Sequence, residues 1–245
     1  MDFGDFVLTT RSTPDRRPGA LPGAVLFDLD GTLIDSVPDI ALAVAELLDL
    51  SGLAPFGEDS VRAMVGHGVG PLVSRAFAAH GIELSPTEHE RQIGRMREIY
   101  PRHLTGRTTL MPHAREALAG LRQRDVPLAL VTNKLQSAAN VVLDHFGLAE
   151  SFSVVLGDQA RPGGLAAKPA PDMLQFTLSR LRAQPGEAIM VGDSAADIEA
   201  ARAAGVFSVA LRNGYSSVPL EDLAPDVIIE GLDELDAAID LWRLG

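Results

Sequence analysis

Val25-Leu26-Phe27-Asp28-Leu29-Asp30-Gly31-Thr32-Leu33 is the stretch that decides the fold. A short apolar run, Val25–Phe27, follows Pro22-Gly23 and ends in two aspartates one residue apart, then a glycine. Such a run reads as a buried strand. Asp28 and Asp30 then stand at its carboxyl end, the edge where open α/β sheets bind ligands. Two carboxylates this close repel each other, so a site that keeps both needs a cation or a shared proton.

Downstream, helices alternate with apolar runs. A helix carrying Ala114, Leu118 and Leu121 precedes Leu128–Val131, and one carrying Val142, Leu143 and Phe146 precedes Phe152–Leu156. A third, with Met173, Leu174 and Leu178, leads to Ala188–Val191. A fourth, Ala195–Ala204 with Gly205 after it, leads to Val206–Leu211; Asp226–Ile229 and a helix over 233–243 close the chain. This alternation predicts an α/β class: a Rossmann-like, doubly wound parallel sheet covered on both faces.

Residues 36–105 break the rhythm, with no strand among them. Ser36 is expected to cap a helix carrying Ile40, Val44, Leu47 and Leu48, with Asp39 in the capping-box position. Ser60–Val65 continues helical. Gly66-His67-Gly68-Val69-Gly70 interrupts, and Pro71 opens a helix that buries Leu72, Val73, Ala76 and Phe77. Ser85-Pro86-Thr87-Glu88 is a capping box before Ile93, Met96, Ile99 and Tyr100. The chain thus divides into a flexible extension (1–23), an α/β core (24–35 and 106–245) and a helical insert (36–105).

Among 245 residues, 33 acids face 21 bases, a formal charge of −12. That balance argues against nucleic acid and anionic membranes as partners. With no cysteine, disulfides, thiolate metal sites and cysteine nucleophiles are excluded. No apolar run reaches the roughly 18–20 residues of a membrane span, and Met1–Phe6 lacks the basic start of a secretory signal. A cytoplasmic location is the expectation; the oligomeric state has no signal.

The chemistry-capable residues fall at matching places. Asp28 and Asp30 follow the first strand, Thr132-Asn133 follow Leu128–Val131, and Asp193 follows Ile189-Met190-Val191-Gly192, with Asp197 one helical turn on. Lys168 lies in the long loop after the third strand. Parallel strands put their carboxyl ends on one edge, so these stations converge.

In Asp28-Leu29-Asp30-Gly31-Thr32-Leu33, Val131-Thr132-Asn133-Lys134, Lys168-Pro169 and Gly192-Asp193-Ser194-Ala195-Ala196-Asp197, the chain resembles the haloacid dehalogenase superfamily over residues 24–240. On its phosphatase side it is most similar to bacterial phosphoglycolate phosphatases. The resemblance implies that Asp28 attacks phosphorus and forms an aspartyl-phosphate, while Asp30 protonates the leaving alkoxide and then deprotonates water. Dehalogenases of the superfamily lack an acid at the place of Asp30, so its presence argues for phosphoryl transfer. Carboxylates without His or Cys suit Mg²⁺. The resemblance assigns the metal to Asp28, the Asp30 backbone carbonyl and Asp193, with Asp197 in support. It gives the phosphoryl oxygens of a small phosphorylated metabolite to Thr132, Asn133 and Lys168. Gly31 permits a sharp turn, and Thr32 is expected to orient Asp30.

The insert is similar to a helical cap over the site. Backbone N–H groups at the start of the Pro71 helix, with His67, Gly68 and Arg75, are candidates for binding a substrate carboxylate. Lys134 is expected to be solvated, and Asn213-Gly214-Tyr215 to form a turn at the rim with no assigned role. A 2-phosphoglycolate phosphatase leads; another phosphatase, a pyrophosphatase, a sugar phosphomutase or an inactive binding module on the same fold are the alternatives.

Overall fold

The computed structural model describes residues 20–158 and 164–244. The expected N-terminal extension lies largely outside them. Six strands, β1 (Ala24–Phe27), β4 (Leu128–Leu135), β5 (Val154–Asp158), β6 (Ala188–Gly192), β7 (Phe207–Leu211) and β8 (Val227–Ile229), form one sheet ordered β5-β4-β1-β6-β7-β8. Every neighbouring pair in it is parallel. The chain leaves β1 to build one side of the sheet outward through β4 and β5, then crosses back to build the other. β1 therefore lies at the point where strand order reverses, the ligand-binding position of such sheets.

Alternation along β1 sorts its side chains to two faces. Val25 and Phe27 join one apolar layer and Ala24 and Leu26 the other. The first layer receives α5 (Ala114–Gln123), α6 (Gln136–His145) and α10 (Leu235–Leu244) through Leu118, Val142 and Trp242. The second receives α7 (Asp172–Leu181) and α8 (Ala195–Ala204) through Met173, Leu174, Ala200 and Ala201. Each large side chain buried this way contributes roughly 1.5–3 kcal/mol. Gly205 ends α8 in the left-handed conformation, φ +71°.

Four helices make up the insert: α1 (Val37–Asp49), α2 (Glu58–Arg62), α3 (Val69–Ala78) and α4 (Pro86–Ile99). Their apolar stripes, including Leu47, Val73 and Met96, are continuous with the first layer. A two-stranded antiparallel ribbon, β2 (Ile34–Asp35) with β3 (Thr109–Leu110), pins the chain entering the insert beside the chain leaving it. Two-residue strands show no period, so the sequence carries no sign of this ribbon.

Local hydrogen bonding corrects two expectations. Ser36 makes no side-chain cap on α1. Asp39 instead reaches across the ribbon to accept from the backbone N–H of Arg107 (2.9 Å) and from the N–H and hydroxyl of Thr108 (2.8 Å each). Burial pushes the Asp39 carboxyl up, but these three donors outweigh it and hold it below its ordinary value. At α4, Ser85 accepts from the Glu88 N–H (3.3 Å), while the Glu88 side chain turns to Arg91 and Gln92, so only half of the capping box forms. The second helix runs over Glu58–Arg62 rather than Ser60–Val65.

Candidate active site

The stations meet at the carboxyl edge of β1, β4 and β6. Asp28, Asp193 and Asp197 are buried, and one carboxylate oxygen from each lies within 4.8 Å of the others. Lys168 answers part of this charge: its Nζ is 2.6 Å from Asp197 Oδ1 and 2.9 Å from Asp28 Oδ1. The contact to Asp28 has ion-pair distance without hydrogen-bond alignment, so Asp28 Oδ1 is a buried oxygen with no hydrogen-bond donor. One buried ammonium among three carboxylates leaves the cluster net negative.

Burial, with that imbalance added to it, makes the carboxylates hold protons more tightly. Burial pushes Asp28 up to about 6 against the pull of Lys168, with Asp197 and Asp30 adding to the rise. Burial also raises Asp193 well above its ordinary value, helped by Asp197 and Asp28 and opposed by donors from Tyr215 and Thr32. Burial disfavours the charged Lys168, but Asp197 and Asp28 outweigh it and hold the ammonium charged.

The acidic cluster is gripped by backbone that has no room to spare. Asp193 accepts from the Thr32 hydroxyl (2.9 Å) and from the Tyr215 N–H (2.6 Å). Asp197 Oδ2 accepts from the Ser194 N–H (3.1 Å) and hydroxyl (2.7 Å). Gly31 turns at φ +85°, and a Cβ there would lie 2.4 Å from Asp193 Oδ2. A Cβ on Gly214 would lie 2.1 Å from Asp193 Cβ. An all-oxygen donor set in a buried, net negative cluster fits a hard divalent cation.

Asp30 belongs to a different group. Its Oδ1 accepts from the Ser36 hydroxyl (2.5 Å) and from Lys134 Nζ (2.7 Å), and its side chain is not part of the carboxylate cluster. Lys134 also donates to the Tyr100 hydroxyl. Lys134 is therefore buried and ion-paired, which corrects the expectation of a solvated residue. Burial disfavours its charge, but Asp30 and Tyr100 outweigh that and hold it protonated. Thr32 is likewise corrected: its hydroxyl orients Asp193, not Asp30.

Asn133 uses its amide to tie the Lys168 loop to β4, accepting from the Lys168 N–H (3.1 Å) and donating to the Lys168 carbonyl (2.9 Å). Thr132 and Asn133 line a cleft with Asp28, Asp30 and Lys134; Gly66, Gly68 and Tyr100 line it from the insert. Gly68 has φ +86°, and a Cβ there would meet the Asn133 carbonyl at 3.3 Å, so insert and core approach closely. Arg75 donates to the Met64 carbonyl (2.8 Å) and lies 3.3 Å from His67 Nδ1; neither Arg75 nor His67 lines the cleft.

Tyr215 is the residue that sequence reasoning left without a role. Its N–H holds Asp193, while its hydroxyl donates to Asp35 Oδ1 (2.7 Å) and accepts from the Ser36 N–H (2.7 Å). Arg62 stacks over its ring at 4.9 Å and pairs with Asp35 at 3.3 Å. No periodicity marks such a residue; only its neighbour Gly214, beside a strand end, hinted at a close approach.

Known proteins resemble the chain along most of its length. The haloacid dehalogenase-like hydrolase family profile matches residues 22–205. A phosphoglycolate phosphatase of Pseudomonas savastanoi pv. phaseolicola is 39% identical over 89% of this chain and 79% of its own. One from Chromobacterium violaceum is 36% identical over 91% of this chain and 97% of its own. The crystal structure of a predicted phosphoglycolate phosphatase from Haemophilus somnus superposes with a TM-score of 0.82 at 30% identity, covering 90% of this chain and 99% of its own. A β-phosphoglucomutase of Clostridium difficile, at 19% identity and a TM-score of 0.73, shares the fold. Among the described residues no helix is long and apolar enough to cross a membrane.

Proposed function

The chain belongs to the haloacid dehalogenase-like hydrolase family, and on that premise we propose that it is a Mg²⁺-dependent phosphatase of a small phosphomonoester, 2-phosphoglycolate before others. The observation that carries this reading is the division of labour at the β1 edge. Asp28 sits in the metal-suited cluster with an oxygen lacking a hydrogen-bond donor, whereas Asp30, two residues on, lies outside that cluster on the cleft wall. The named relatives support 2-phosphoglycolate as substrate.

Asp28 attacks phosphorus in line, forming the O–P bond as the bond to the leaving oxygen breaks. Asp30, as the carboxylic acid, gives its proton to that oxygen. Asp30, now the carboxylate, takes a proton from water, which attacks phosphorus and frees Asp28 and inorganic phosphate. Asp30 Oδ1 is held by Ser36 and Lys134, which leaves Oδ2 for the proton transfers. Thr132, Asn133 and Lys168 hold the phosphoryl oxygens as charge spreads over them. Asp28, Asp193 and the Asp30 carbonyl would hold Mg²⁺, which would offset the repulsion between the dianionic ester and the nucleophile. The insert acts as the cap, excluding water from the cleft.

The test is a panel of phosphoesters with Mg²⁺ or with EDTA. 2-Phosphoglycolate is expected to give the highest kcat/KM, EDTA to abolish turnover, and Asp28→Asn to lose about 10³-fold or more. Full turnover in Asp28→Asn sinks the covalent route.

A further inference from the structure

The insert over the cleft presents an apolar wall, with Ile40, Val65, Val69, Leu72 and Met96 on it. His67 and Arg75 contact each other instead of lining it. Among the described residues that do line it, Lys134 is the one cation. It stands at the end of β4, and Tyr100, directly after α4, meets it from the insert. An ammonium has three hydrogens. Two are accounted for, on Asp30 Oδ1 and on the Tyr100 hydroxyl.

Position gives the third hydrogen a meaning. A leaving group that takes its proton from Asp30 must pass beside Asp30, and Lys134 Nζ is 2.7 Å from Asp30 Oδ1. The ester's far end is then carried along the wall that holds Lys134 and Tyr100. The space is small, about 50 Å³, room for roughly three to five waters and so for the bulk of a two-carbon acid. An anion there gains a charge-assisted hydrogen bond from a buried ammonium.

We propose that Lys134, backed by the Tyr100 hydroxyl, binds a carboxylate on the leaving group, so that the cleft selects phosphoesters of short hydroxy acids over those of neutral alcohols. This rests on the phosphatase reading of the same site. It moves the selecting group from the Gly66–Gly70 segment to the end of β4. Lys134 then has three contacts in the bound state: the acid that serves the leaving oxygen, the Tyr100 hydroxyl and the leaving group's own charge.

The test compares 2-phosphoglycolate with ethyl phosphate, the same ester with a methyl group in place of the carboxylate. Wild-type protein is expected to prefer 2-phosphoglycolate. In Lys134→Met, which keeps the stem and removes the charge, the ratio of the two kcat/KM values is expected to fall about 100-fold, mainly through KM. A fall in kcat common to both esters reports only the loss of a partner for Asp30. An unchanged ratio overturns the proposal and leaves Lys134 as a positioning residue. Tyr100→Phe is expected to lower the ratio in the same direction by less. A measurement without variants guards against misfolding: glycolate should inhibit wild-type hydrolysis of ethyl phosphate where ethanol at equal concentration does not. Equal inhibition by the two, or none, overturns the proposal while the phosphatase reading stands. No hydrolysis of either ester with Mg²⁺ breaks that reading itself, and this inference with it.

Discussion

The two walls of the cleft are built on opposite principles. The core wall is crowded with charge: buried carboxylates, one bridging ammonium, and backbone donors at fixed distances. The insert wall is apolar apart from a backbone loop and one hydroxyl. The core wall does not tolerate an added methyl group at Gly31 or Gly214, whereas the insert wall is ordinary helix packing. Chemistry that is the same for every phosphoester calls for preorganised groups. Choice among esters calls for only a few contacts, and these gather where the walls meet, at Lys134 of the core and Tyr100 of the insert.

That contrast is open to attack at its strongest point first. Lys168→Met removes the cation that bridges Asp28 and Asp197. It should cost on the order of 10²-fold or more in kcat and about 3–5 kcal/mol of stability, as for breaking a buried ion pair, with part of the stability restored by Mg²⁺. Turnover within a few fold of wild type would show that the core wall is less interdependent than its geometry implies.

Metal removal comes next. Saturating Mg²⁺ at about 100 times its Kd should stabilise the fold by about 2.7 kcal/mol, read as a Tm difference from the EDTA-treated protein. The effect should grow with pH. Asp28 rises from its ordinary 3.8 to about 6 in the metal-free fold, so the folded state binds more protons than the unfolded one between these values. Metal-free stability therefore falls as pH rises through that window. The cation favours the ionised carboxylates, so the gap between the two forms should widen from about pH 4 to about pH 7. A pH-independent gap breaks the assignment of the cation to this cluster.

Gly31→Ala places a side chain at φ +85° against Asp193 and should cost about 1–3 kcal/mol from backbone strain alone, measured by denaturant midpoint. The mildest change is on the insert side. Arg62→Ala removes a half-exposed ion pair and a ring contact and should cost no more than about 1 kcal/mol. A loss as large as that of Gly31→Ala would mean that the insert is held as tightly as the core, against the contrast drawn above.

Legibility followed the same division. Asp28, Thr132 and Asp193 could be read because each ends an apolar run, and parallel strands bring such ends to one edge. Lys168 could be read because its loop follows another strand of the same parallel sheet. Tyr100 could not: at the end of α4 it continues an apolar stripe, and nothing local says that its hydroxyl meets a lysine 34 residues away. Ser36 and Asp39 looked like a capping box because the spacing fits one, yet stronger partners, Asp30 for the serine and Arg107–Thr108 for the aspartate, won both side chains.

The sequence by itself determined the strand and helix order, the edge at which the chemistry gathers, and the chemical types present there, because periodicity and strand-end position are local properties of a chain. Only the tertiary structure decided which carboxylate faces which cation. It placed Asp28 with Lys168 and Asp30 with Lys134, moved Thr32 to Asp193, and gave Tyr215 its two attachments. Those pairings depend on side-chain direction and on separations of tens to hundreds of residues, which burial and charge balance settle only once the whole sheet is assembled.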